Sequence, residues 1–191
     1  MARPEFSIEY TAERNRLTAF FRVFLALPHL IIENIGSQLA QVLGFFQWWV
    51  ILFTGSRNEQ LWKLQNIWLG YAARVYSYQS LMFDKWPNIG VEPNGEPTTY
   101  SFHYEKSARR LSNFFRLILV IPAVIVAIVV GIMAVAATVI AWFAIVFTGK
   151  HPRGLFDKVL KVHRYIVQLN AYVLLMTDDY PKYGNRPREN A

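Results

Sequence analysis

Shifting the chain against itself by 94 residues brings its two halves into one gapless register. No other feature limits the fold as strongly, because two copies of one unit must fold alike and bury their apolar faces against each other. Tyr10 falls on Tyr104, Phe20-Phe21-Arg22 on Phe114-Phe115-Arg116, and Pro28 on Pro122. Trp48 meets Trp142, Phe53-Thr54-Gly55 meets Phe147-Thr148-Gly149, Tyr78 meets Tyr172, Asp84 meets Asp178, and Gly90 meets Gly184. Aromatic, Pro and Gly positions do not hold register over that length by chance, so the chain reads as a tandem duplication, 1–94 and 95–191. Each copy has a short alternating segment, a long apolar run, a Phe-Thr-Gly stop and an amphipathic stretch ending in Asp-x-aromatic-Pro.

The runs decide the solvent. Leu17 to Phe53 and Leu111 to Phe147 each hold 37 residues, and the chain is 53% hydrophobic with 17% charged residues. Soluble domains carry about 25% charged residues, so a membrane class is expected. The net charge of +7 on an apolar chain suits an anionic leaflet. No zinc-finger, aromatic RNA-binding or basic helix-turn-helix pattern accompanies it, so no nucleic-acid partner is expected. Cysteine is absent, which excludes disulfides, thiolate metal sites and a Cys nucleophile. The polar first sixteen residues lack the apolar core of a cleaved signal peptide.

A helix crosses a hydrocarbon core in about 20 residues, so each run predicts a transmembrane hairpin, about 17–53 and 111–147. Arg14, Arg16 and Arg22 flank the start of the first run and Arg57 and Lys63 its end. Lys106, Arg109, Arg110 and Arg116 flank the start of the second, and Lys150, Arg153 and Lys158 follow it. Cations at both ends place both ends, and both chain termini, in the cytoplasm. The copies would then share one orientation about an axis along the membrane normal. Residues 33–38, Glu-Asn-Ile-Gly-Ser-Gln, suit the tip of the first hairpin; the second run offers only Gly131. The alternative, one span plus an interfacial segment per run, would make the copies inverted.

Gly55 and Gly149 can take the left-handed conformation that ends a helix, and the Thr before each can cap locally, so Phe-Thr-Gly reads as a helix stop. The amphipathic stretches that follow, about 59–83 and 153–176, predict helices lying in the membrane interface. Phe6, Ile8 and Tyr10, and Tyr100, Phe102 and Tyr104, alternate as half-buried strands do, and the two segments can pair. The fold class is therefore all-α and integral to a membrane, with two hairpins, two interfacial helices and short N-terminal strands.

Candidate sites are few. Lys150, His151, Arg153, Lys158, Lys161 and Arg164 form a cationic cluster that can take an anionic lipid headgroup or phosphate; the plainer reading is a topology signal on a solvated helix face. Net charge is +1 over 1–94 and +6 over 95–191, so the copies have diverged electrostatically. Arg22 and Arg116 stand just inside the apolar runs. A carboxylate at a helix C-terminus needs a cation, so Arg22–Asp84 and Arg116–Asp178 are expected as structural ion pairs. His29 and Glu33 share a helix face and can relay a proton, hold a cation or simply hydrogen-bond. They are too few for a metal, as are His103 and Glu105. No phosphate loop, Ser-centred elbow or paired carboxylate appears, so no enzyme, cofactor or metal is expected.

Arg110, Phe114-Phe115-Arg116, Pro122, Trp142, Phe147-Thr148-Gly149, Pro152-Arg153-Gly154-Leu155-Phe156, Asn170-Ala171-Tyr172 and Asp178-x-Tyr180-Pro181 resemble the bacterial membrane family catalogued as domain of unknown function 4389. The resemblance covers nearly all of 104–184. The first half departs from it at Asn58-Glu59-Gln60-Leu61-Trp62 and at Ser77. It implies a multi-pass protein of the bacterial cytoplasmic membrane and carries no activity. The expectation that follows is a non-enzymatic accessory or scaffold subunit, in contact with lipid and with a larger membrane complex or with itself. The alternative is a protein that binds or handles anionic phospholipid.

Overall fold

A computed structural model describes residues 3–89 and 95–184. Gly90 and the rest of 90–94 in the linker, and the ends of the chain, lie outside the described residues. The elements are β1 (Glu5–Ile8), α1 (Arg16–Phe20), α2 (Arg22–Thr54), α3 (Glu59–Gln79), β2 (Thr98–Ser101), α4 (Arg110–Phe114), α5 (Arg116–Leu119), α6 (Ile121–Thr148) and α7 (Arg153–Val173).

The hairpins expected inside the apolar runs are not there. α2 continues for 33 residues straight through the proposed tip, and α6 for 28 through Gly131. The polar tip residues are satisfied without a turn: Ser37 Oγ donates to the Asn34 carbonyl at 2.9 Å and Gln38 Nε2 to Asn34 Oδ1 at 2.8 Å. Gly36 serves packing instead, since a Cβ there would lie 2.4 Å from Trp68 Cδ1. Gly36→Ala is therefore expected to lower stability by about 1–3 kcal/mol through overpacking. Gly131→Ala, with nothing within 4 Å of the added carbon, should leave the melting temperature in detergent unchanged or raise it.

The chain reverses at Phe-Thr-Gly. Gly55 and Gly149 take φ of 71° and 75°, and their N–H groups close on Ile51 and Ile145 carbonyls at 2.8 and 2.7 Å. Thr54 and Thr148 hydroxyls bond back to Val50 and Ala144. α3 then runs antiparallel along α2. Gln65 Nε2 reaches the Ala40 carbonyl, Trp68 Nε1 the Glu33 carbonyl, and Tyr78 lies beneath Arg22. α7 returns along α6 in the same way, Tyr165 Oη donating to the Ala123 carbonyl at 2.8 Å. The amphipathic helices are thus packed inner arms and not free interfacial helices. Their apolar faces meet protein on both sides, which is why most of α3 from Leu69 to Tyr78 is buried.

The copies interlock head to tail. Arg14 N–H donates to Gly149 O and His151 N–H to Ala12 O; the symmetry mates are Ala108 N–H to Gly55 O and Arg57 N–H to Lys106 O. Trp142 Nε1 donates to Ala19 O at one end, while at the other Trp48 and Asn113 exchange two bonds of 3.2 and 3.1 Å. The start of α2 therefore lies beside the end of α6 and the reverse, so the long helices are antiparallel. The pseudo-two-fold axis therefore runs across them, through the gap between the two hairpins.

β1 and β2 pair antiparallel, Phe6 opposite Tyr100 and Ile8 opposite Thr98, and cover the inner arms at mid-length. Tyr100 Oη donates to Asn66 Oδ1 at 2.6 Å and its ring lies against Gly70; Arg164 Nε donates to the Phe6 carbonyl at 2.8 Å. Three layers result: α2 with α6, α3 with α7, then the strands and their arms.

The outer layer has its polarity reversed relative to a soluble helix. α2 buries Arg22, Ala26, His29, Glu33, Ala40, Gly44, Gln47 and Ile51, while Phe24, Ile31, Ile35, Phe45 and Phe53 face outward. α6 buries Ala123, Val130, Ala137 and Ala141 and exposes Ile121, Ile128, Ile132 and Phe147. Among the described residues, α2 and the segment Arg116–Thr148 are long and apolar enough to cross a membrane.

Candidate functional site

Each copy is closed by one guanidinium. Arg22 is 2% exposed; Nη2 lies 2.6 Å from Asp84 Oδ1, Nη1 donates to Phe83 O at 2.9 Å, and the cation sits 4.0 Å over the Tyr78 ring. Arg116 repeats this on Asp178 at 2.7 Å, Thr177 O at 2.9 Å and Tyr172 at 4.0 Å. The other carboxylate oxygens accept from Asn15 N–H and Arg109 N–H, the residues just before α1 and α4. Each Asp thus ties the end of an inner arm to the start of an outer helix. The approach depends on Leu81 and Leu175, both at φ 64°, a left-handed turn unusual for Leu. The bonds Met82 N–H to Ser77 O and Met176 N–H to Ala171 O close it.

Asp178 also holds Arg57, at 2.9 Å. Arg57 Nε donates to Leu175 O and Nη1 to the carbonyls of Glu105 and Ser107, so this buried cation joins the copies. Arg14 occupies the other end, with Nη2 on Met82 O at 2.7 Å. Nothing in the sequence distinguishes these two from ordinary flanking cations. The only hint is that Arg57 falls opposite His151 in the repeat register, a position that is cationic or aromatic-polar in both copies.

The cationic cluster does not assemble as one patch. His151 is buried, edge-on to Phe156 at 5.6 Å with Nδ1 3.2 Å from Pro152 O. Arg164 is tied to β1, and Arg153 pairs with Asp157 at 3.4 Å and covers Tyr10. Lys150, Lys158 and Lys161 remain exposed. Burial pushes the His151 imidazole below its ordinary range and His163, 3.1 Å from Ser80 Oγ, to about 4. A folded-state value below the unfolded value of about 6.5 means that the unfolded chain takes up the proton first. Stability from these residues is complete above about pH 6.5 and declines from there toward pH 4. The melting temperature in detergent should fall across that window, and His151→Gln with His163→Gln should flatten the fall.

His29 and Glu33 do share a face, and both are buried against α3. His29 Nδ1 lies 2.7 Å from Tyr71 Oη, and the Glu33 carboxylate accepts from Tyr76. Ala123 and Ala127 replace them in the second copy, where Tyr165 takes a backbone carbonyl instead. Among the described residues no three His, Cys, Asp or Glu come together as metal ligands, and His103 and Glu105 gain no third partner of that kind.

These features define a duplicated helical protein of two interlocked hairpins, apolar on the outside and closed by paired guanidinium clasps. The family profile described as Domain of unknown function (DUF4389) matches twice, at residues 16–88 and 110–183, and the chain belongs to that family. No curated protein and no solved structure matches it.

Proposed function

We propose that this chain is a non-enzymatic protein of the bacterial cytoplasmic membrane, serving as an accessory or scaffold subunit beside a larger membrane assembly. The reversed polarity of α2 and α6 carries this reading: small and polar groups face in and aliphatic and aromatic ones face out, an arrangement stable in lipid or against other membrane helices. The buried Arg14, Arg22, Arg57, Arg116, His29 and Glu33 are engaged by carboxylates, carbonyls and hydroxyls, which suits a structural role. The test is affinity capture of the full chain in mild detergent with quantitative mass spectrometry. A stoichiometric membrane partner that is lost on Phe45→Ala with Phe46→Ala supports the proposal. Recovery of the chain alone from native membranes overturns it.

A second reading, binding of anionic lipid, is favoured by the exposed Lys150, Lys158 and Lys161. Each cation contributes about 1 kcal/mol near a charged leaflet. Replacing all three with Gln should then weaken retention on anionic vesicles and leave neutral vesicles unaffected.

A further inference from the structure

We infer that α2 and α6 do not cross the membrane but lie side by side in the plane of one leaflet, with α3, α7 and the strands on the water side. The inference rests on the membrane reading above and specifies its geometry. Its first support is the third layer. The two-stranded sheet lies at the mid-length of the long helices, where Tyr100 meets Gly70 and Phe6 meets Arg164. Were α2 and α6 perpendicular to the bilayer, this level would be the hydrocarbon centre. Yet Glu9 and Thr99 are exposed on the arms there, and Lys161 is exposed one turn from Arg164. Strand edges and ammonium groups are not left facing lipid at that depth.

Length and charge agree. A 33-residue helix is about 50 Å long, against a core of about 30 Å. In the middle of α2, Asn34, Gln38 and Gln41 are exposed. At a bilayer centre the Gln38–Asn34 bond would leave the remaining amide hydrogens and oxygens of the three facing hydrocarbon, whereas a helix embedded about 5–10 Å deep keeps them within reach of headgroups and water. Exposed cations stand at both ends of the outer layer: Arg16, Lys150 and Arg153 at one, Lys106, Arg109 and Arg110 at the other. A crossing pair would put one set on the translocated side. A pair lying flat gives both sets to one anionic surface, which commits the occupant of the apolar face to the cytoplasmic leaflet.

The chain has no cysteine, so single-Cys variants of the full protein report position directly. Glu13→Cys and Lys106→Cys mark the two ends, Thr99→Cys the strand layer and Ile132→Cys the apolar face; Lys150→Cys and Arg109→Cys replace the first two should either fail to accumulate. A membrane-impermeant maleimide is applied to inside-out and right-side-out vesicles. The expected result is labelling of both ends and of position 99 in inside-out vesicles, its loss in the opposite orientation, and protection of position 132 in both. Ends labelled from opposite compartments overturn the in-plane arrangement and leave the membrane reading standing. A chain that fails to sediment with membranes and labels freely at 132 overturns both.

Discussion

Asp178→Asn is expected to lower unfolding free energy by about 3–5 kcal/mol, the cost of stranding buried cations without their counterion. Asp178 is the partner of two guanidiniums, Arg116 at 2.7 Å and Arg57 at 2.9 Å, with side-chain exposures of 4% and 0%. It also accepts the Arg109 N–H that starts α4. Asparagine keeps the shape and removes the charge, so packing is not the cause of the loss. Asp84→Asn is the internal comparison. Asp84 is 30% exposed on its side chain and, among the described residues, forms its ion pair with Arg22, so water compensates part of its removal and the loss is smaller. Thermal unfolding of both variants in one detergent measures the difference. Equal losses would mean that the Arg57 contact between the copies contributes nothing. The loss at Asp178 should also be accompanied by greater proteolysis near Ser107 and Gly55, because Arg57 ties those two segments, one from each copy, together.

The repeat, the helix stops and the clasps were legible in sequence because each rests on a local requirement. Gly55 and Gly149 are needed at positive φ, and Asp84 and Asp178 stand at helix ends where a carboxylate demands a cation. The continuity of α2 was not legible. Asn34, Gly36 and Ser37 are turn residues by composition, but they form a helix here because Trp68, thirty-two residues later, uses the missing Cβ of Gly36. The amphipathic stretches misled for a related reason. An apolar helix face reads the same whether it meets lipid or a neighbouring helix, and only the contacts of Gln65, Trp68 and Tyr78 with α2 show which. The cationic cluster shows the same limit of spacing as evidence. Spacing groups six residues on paper, while burial removes His151 and backbone carbonyls and ring faces engage Arg164 and Arg153. Cations at both ends of each run suggested that both ends face one compartment, and an outer layer lying flat satisfies this without any turn in the run.

A lysine scan along α6 separates the two arrangements by energy. Ile121, Ile132 and Phe143 all face outward, with Ile132 near the middle of the helix and the others near its ends. In a crossing helix, a lysine at the centre costs about 2.5–3.5 kcal/mol, while lysines near the ends reach the headgroups and cost little. Retention on membranes would then show a sharp minimum at Ile132→Lys. In a helix lying in the plane, all three positions have the same depth and the same short distance to the interface. Each substitution should weaken membrane retention by a similar factor, with no minimum at the centre. Thr99→Lys, on the layer facing water, should have no effect in that arrangement and a large one in the crossing arrangement. A profile peaked at Ile132 together with a sensitive Thr99 would place α6 across the bilayer.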